Sequence, residues 1–213
     1  MWELAKWKYW DYKHPRPRVP SGCIMFVASP HADDATGSGK TLSVVELLDR
    51  TSELYDVPVN IMTNFAYAGQ YGKIDSIDDI LNAPPNTIFG IDEAPRLFNS
   101  RNWSKFPMEI FSQLAQNRKE NKQFLLTAQF YDHADKNFRD FARTVVECRM
   151  TWGNRLVLQR AFSSRSYKKV EDSQDEEYRA SKLKWEYTFV ASNQLFERYD
   201  TLEVVKMLHK NNA

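Results

Sequence analysis

The residues whose types and spacing could do chemistry are Gly37-Ser38-Gly39-Lys40-Thr41 and, well downstream, the adjacent carboxylates Asp92 and Glu93. Two glycines let a loop turn its main-chain N–H groups inward toward an anion. An ammonium at Lys40 reaches the outer oxygens of a phosphate chain, and a hydroxyl at Thr41 is an oxygen ligand suited to Mg²⁺. On this reading Gly37, Ser38, Gly39, Lys40, Thr41 and Leu42 bind nucleotide. Asp92 and Glu93 close the apolar run Ile88-Phe89-Gly90-Ile91. There Asp92 joins Thr41 at the metal, and Glu93 orients and deprotonates an attacking water.

The same letters admit other chemistry. Pro30-His31-Ala32-Asp33-Asp34 resembles the Pro-His-x-Asp-Asp motif of zinc-dependent de-N-acetylases, in which His31 and Asp34 would bind zinc and Asp33 act as base. This stretch also makes the loop longer than the G-x-x-x-x-G-K-[ST] pattern, whose first glycine falls at Asp34. Two aspartates beside a polyphosphate would repel it unless a cation intervened. An inserted surface loop of turn-forming residues is the third reading. A strand-final acid pair is equally ambiguous alone, because acids often cap the next helix. Coupled to the upstream GSGKT it becomes the Walker B partner of a phosphate loop.

Such residues need a strand, a turn and a helix to position them, and the sequence supplies these. Cys23 to Ala28 is a short apolar run, and Leu42, Val45 and Leu48 recur at helical spacing. Val57 to Met62 reads as a strand, Thr63 to Gly72 as a loop, and Lys73 to Leu81 as a short helix ended by Pro84-Pro85. Asn86 to Ile91 and Gln123 to Gln129 read as further strands, and the polar end of the latter brings Gln129 beside Asp92 and Glu93. Alternating strands and helices predict an α/β fold, a mainly parallel sheet flanked by helices. Asp135 to Phe141 reads as a short helix. Thr144 to Met150 and Leu156 to Phe162 form a hairpin across Trp152-Gly153-Asn154, giving a β-rich C-terminal region. His133 reads as a solvated loop residue, and Glu171 to Glu177 as a solvated acidic loop. Lys184 to Val190 is predicted as a strand, and a capped helix begins at Asp200.

The 213 residues suffice for one α/β core, read as a 1–20 aromatic and basic extension followed by a single domain over 21–213. Lys+Arg 29 against Asp+Glu 28 leaves almost no net charge, so contact with nucleic acid depends on local patches. The most basic internal segment runs from Ala94 to Lys122 and includes Arg101 and Arg118. Cys23 and Cys148 make neither a disulfide framework nor a cysteine zinc site. No apolar run approaches the ~18 residues of a membrane span. These features predict a cytoplasmic protein without a transmembrane segment. In the leader, Trp2, Trp7, Tyr9, Trp10 and Tyr12 alternate with cations, which suits packing or docking on a partner.

The run of motifs IFGIDEAPRLFNSR (88–101), LAQNRK (114–119), LLTAQ (125–129), DKNFRD (135–140) and YDTLE (199–203) resembles the zonular occludens toxin-like ATPases of filamentous and related phages, within the FtsK–HerA group of DNA-pumping motors. The resemblance implies a RecA-like P-loop NTPase fold, ATP and Mg²⁺ as ligands, DNA as cargo and a homo-oligomeric ring of six. It also implies genome packaging or virion assembly in the host cytoplasm, and the aromatic leader over residues 2–14 is read as a docking segment for a capsid, portal or other assembly protein. By position it makes Lys40 and Thr41 ligands of phosphate and Mg²⁺, Asp92 a metal ligand, Glu93 the base and Gln129 the sensor of the γ-phosphate. A finger from the neighbouring subunit would be Arg118, then Arg101, then Arg139. A portal-associated subunit that keeps the fold with little ATPase activity is the non-enzymatic alternative.

Overall fold

A computed structural model describes residues 21–30, 37–55, 57–95, 120–134 and 136–200. The leader, the stretch 31–36, the basic segment 96–119 with Arg101 and Arg118, and the expected C-terminal helix lie outside these residues.

An eight-stranded sheet organises the chain. Its first strand, β1 (Gly22–Ala28), is an apolar run buried along most of its length and leads toward the loop that precedes α1 (Lys40–Leu54). There follow β2 (Asn60–Thr63), β3 (Ala66–Tyr67), β4 (Gly72–Lys73), α2 (Ile77–Leu81) and β5 (Thr87–Ile91). After the segment outside the description come β6 (Gln123–Thr127), a 3₁₀ turn over Tyr131–His133, α3 (Lys136–Phe141), β7 (Thr144–Thr151) and β8 (Leu156–Ser163). Then α4 (Ser164–Glu171), α5 (Glu176–Ser181), β9 (Leu183–Val190), α6 (Asn193–Phe196) and β10 (Tyr199–Asp200) complete it.

The strand order is β4-β2-β5-β6-β1-β7-β8-β9. From β4 through β7 every pair is parallel, whereas β7–β8 and β8–β9 are antiparallel. Parallel neighbours require crossovers, and these place helices on both faces. One face packs Leu42, Val44, Val45 and Leu48 of α1 over Phe26, Ile88, Leu125 and Val146. The other packs Ile80 of α2, Phe138 of α3 and Tyr167 and Val170 of α4 over Met25, Phe89, Leu126 and Val145. Gly90 lets α1 lie close to the sheet. A Cβ there would meet Leu48 Cδ1 at 3.2 Å and Thr63 Cγ2 at 3.1 Å, tighter than ordinary contact.

Several boundaries differ from the sequence reading. Gly72–Lys73 pairs with β2 as an edge strand, so the helix begins only at Ile77, where Ser76 and Asp79 form a capping box. Ala66–Tyr67, inside the expected loop, pairs antiparallel with Tyr199–Asp200. The acidic run is no open loop: Glu171 ends α4, and the Asp175 carboxylate caps α5 by accepting from the N–H groups of Glu177 and Tyr178. The hairpin, by contrast, falls where predicted, with Thr151 opposite Leu156.

Candidate functional site

The loop residues Gly37 and Gly39 have φ of 80° and 87°, a left-handed backbone that glycine adopts without a Cβ penalty. Gly39 is held closely as well. A Cβ on it would lie 3.0 Å from Met150 Cε and 3.3 Å from Val157 Cγ1, so the loop seats directly on the β7–β8 hairpin. Immediately after it α1 begins, with no acidic residue in its first turn. Its N-terminal dipole therefore faces the loop unopposed by a first-turn carboxylate. Lys40 is largely buried and donates from Nζ to Ser38 Oγ at 3.1 Å. Ser43 ties the first turn down by donating to the Gly39 carbonyl at 2.8 Å. It also contacts Cys148 Sγ at 3.4 Å. Burial, partly offset by that contact, pushes the Cys148 thiol up to about 12, so it serves as packing rather than as a nucleophile.

The two informative stretches converge. Thr41 Oγ1 donates to Asp92 Oδ1 at 2.8 Å across 51 residues of sequence. Both groups are oxygen donors of the class Mg²⁺ takes, and the residues present therefore fit that ion. The same carboxylate oxygen accepts from Thr127 Oγ1 at 2.6 Å, and Thr127 Oγ1 in turn accepts the Glu93 N–H at 2.8 Å. Asn64, buried at the end of β2, clamps the main chain of Asp92 from the other side. Its Nδ2 donates to the Asp92 carbonyl at 2.9 Å and its Oδ1 accepts the Asp92 N–H at 2.8 Å. Glu93 follows with a φ of 50°, unusual for a residue with a side chain and held by these neighbours. Tyr199, packed edge-on to Phe65, has its phenol pushed up first by burial and then by the charge of Asp92.

The topology explains this convergence. β6 separates β1 from β5, with Phe26 opposite Thr127 and Ile91 opposite Leu126, so the three strand ends stand side by side. Gln129 lies just past the end of β6, its carbonyl accepting the Ala28 N–H at 3.2 Å, which places it at the mouth of the loop. Leu42, predicted with the loop, has its side chain in the core below. Arg139 is elsewhere. It pairs with Asp132 at 2.9 Å and lines a cleft with Gly22, Arg143 and Lys136 at the start of β1, the opposite end of the sheet from Lys40. His133 is exposed and meets the Phe130 ring edge-on.

Thr127 and Asn64 did not emerge from the sequence. The available signal for Thr127 was a hydroxyl residue in a strand otherwise apolar from Phe124 to Leu126; for Asn64, no local pattern separates a clamp from a turn residue. Thr127→Val keeps the shape but leaves the Glu93 N–H without this partner. The expected loss is about 1–2 kcal/mol in a urea titration. An unchanged midpoint would show that this hydroxyl contributes nothing net.

Neither the comparison with protein-family profiles nor that with curated proteins gave a match to this chain. Solved structures do resemble it. The N-terminal domain of zonular occludens toxin from Neisseria meningitidis superposes with a TM-score of 0.54 and 16% identity, covering 84% of this chain and 100% of that one. This chain shares its fold. B204, the DNA-packaging ATPase from Sulfolobus Turreted Icosahedral Virus, superposes less well, with a TM-score of 0.44 and 10% identity over 70% of this chain and 95% of that one. The expected α/β fold, a mainly parallel sheet flanked by helices with a C-terminal hairpin, is the one observed. Among the described residues no helix is long and apolar enough to cross a membrane. The zinc alternative rests on His31, Asp33 and Asp34, outside the described residues, and no other cluster of three His, Cys, Asp or Glu among the described ones could hold a metal.

Proposed function

We infer that this chain binds and hydrolyses ATP and that, as a ring of subunits in the host cell, it couples turnover to DNA movement in phage genome packaging or virion assembly. The observation that carries the hydrolytic part is the 2.8 Å contact between Thr41 Oγ1 and Asp92 Oδ1, which joins the phosphate loop to the carboxylate strand. Gly37 to Thr41 bind the phosphates, Lys40 by charge and the loop by its N–H groups. Thr41 and Asp92 would hold Mg²⁺, whose charge offsets that of the phosphate oxygens. Glu93 orients a water and takes its proton, and Gln129 senses the terminal phosphate. The DNA and ring parts are supported by the sequence motifs and the shared fold.

Phosphoryl transfer needs positive charge against the γ-phosphate beyond what Lys40 supplies, and Arg118 from a neighbouring subunit is the first candidate, Arg101 the second. Lys40→Ala is expected to lower turnover by about 10²-fold or more. Arg118→Ala subunits, inactive alone, should regain turnover when mixed with Lys40→Ala subunits, because each supplies what the other lacks. Native turnover should also rise with protein concentration. Turnover unchanged in Lys40→Ala would sink the ATPase reading, while normal activity of Arg118→Ala alone passes the finger to Arg101.

A further inference from the structure

We propose that Trp152 is the platform on which the base of the bound nucleotide stacks. This rests on the nucleotide reading and adds recognition of the base, for which neither Gly37 to Thr41 among the described loop residues nor the carboxylates provide a surface.

The direction of the nucleotide follows from the site. Thr41, Asp92 and Thr127 gather on the β6 and β5 side of β1, which makes that side the one for the metal and the terminal phosphate. A phosphate chain has two ends, so the nucleoside leaves the loop on the other side of β1. There the neighbour is β7, which runs parallel to β1 with Cys148 opposite Ala28. The Ser29 N–H donates to the Cys148 carbonyl at 2.9 Å, and beyond this bond the hairpin continues past the end of β1. Met150, whose side chain packs on Gly39, lies on the loop side of β7. Trp152 stands two residues further, in the turn just past the end of β7, so its main chain lies within about two strand steps of that contact.

Trp152 is 85% exposed, although an indole ordinarily gains by burial. The other exposed aromatics among the described residues do not lie on the β7 side of the loop: Tyr71 precedes the edge strand β4, Phe130 follows Gln129 on the β6 side assigned to the terminal phosphate, and Trp185 lies along β9. The tip is also braced. Arg155 donates to the Ala191 carbonyl at 2.9 Å and to Asn193 Oδ1 at 2.8 Å, and its guanidinium lies over the Phe196 ring. Trp152, Gly153 and Asn154 all take positive φ, a turn that fixes the direction of the tip. An exposed aromatic ring carried on a braced turn beside the loop, at the nucleoside end, offers a base a face for stacking.

The test is calorimetry on the full chain with two probes in Mg²⁺: a non-hydrolysable ATP analogue, and inorganic tripolyphosphate, which has no base. Trp152→Ala is expected to weaken the analogue about 10-fold, the size of one base–aromatic stack, and to leave tripolyphosphate unchanged. Trp152→Phe should recover most of the loss. Unchanged affinity for the analogue in Trp152→Ala overturns the proposal and leaves the nucleotide reading standing. Equal weakening of both probes also overturns it, since the indole would then only support the loop. Should the alanine variant lose affinity for a single-stranded oligonucleotide while binding the analogue normally, the tryptophan belongs to a nucleic-acid contact and the proposal falls. If the native chain binds neither probe, the nucleotide reading falls and takes the proposal with it.

Discussion

Glu93→Gln is expected to lower ATP turnover by about 10²–10⁴-fold, the range typical of a lost general base, while ATP binding stays close to native. Glutamine keeps the length and the main chain but cannot take a proton. The peptide that carries residue 93 is fixed independently of its side chain, through the N–H bond to Thr127 Oγ1 and the clamp of Asn64 on the preceding residue. Binding therefore should not follow the loss. A single-turnover measurement separates the two: phosphate release should slow while the amplitude of nucleotide capture is retained. If Glu93→Gln turns over normally while Lys40→Ala does not, the base is another group.

The second large effect is on stability. Glu147 and Arg179 form a buried pair on the face of β7 opposite the phosphate loop. Both carboxylate oxygens accept from Arg179 Nη2 at 2.8 Å, and both residues are almost wholly buried. Arg179 Nη1 also donates to the Val170 carbonyl, and Tyr167 OH donates to Glu147 Oε1 at 3.1 Å. The pair thus bolts α4 and α5 to the strand whose next residue, Cys148, touches Ser43 below the loop. Removing one partner strands a buried charge, so Glu147→Leu is expected to cost about 3–5 kcal/mol. Glu147→Leu with Arg179→Met removes both charges and should recover part of this. It should stop short of native because Tyr167 OH and the Val170 carbonyl lose their partners, worth about 1–3 kcal/mol each where burial is complete. Urea unfolding of the two variants checks it. A single substitution costing under about 1 kcal/mol would mean that water reaches the pair.

How much was legible beforehand depended on the range of the interaction. The strand before the loop and the helix after it were readable because apolar spacing reports which side of an element is buried, and Leu42, Val45 and Leu48 do pack inward. GSGKT and the Asp92-Glu93 strand end were readable as chemistry because a phosphate loop and a metal carboxylate demand particular residue types. The hairpin at Trp152 was readable because a glycine-containing turn between two apolar runs is local.

What the sequence by itself determined was therefore local: the elements, their faces and the two reactive stretches, each set by neighbours a few residues away. The contact of Thr41 with Asp92, the clamp of Asn64, and Thr127 between Asp92 and Glu93 were decided only by the order of strands, which sets β2 beside β5 and inserts β6 between β5 and β1. Strand order is a property of the whole sheet, chosen by how crossovers pack helices on two faces, and no short spacing encodes it. The pairing of Glu147 with Arg179 shares that cause. Glu147 acquired its partners only when the chain folded back on β7, whereas the Asp175 cap spans three residues and went unread because a capping acid and a solvated one carry the same letter.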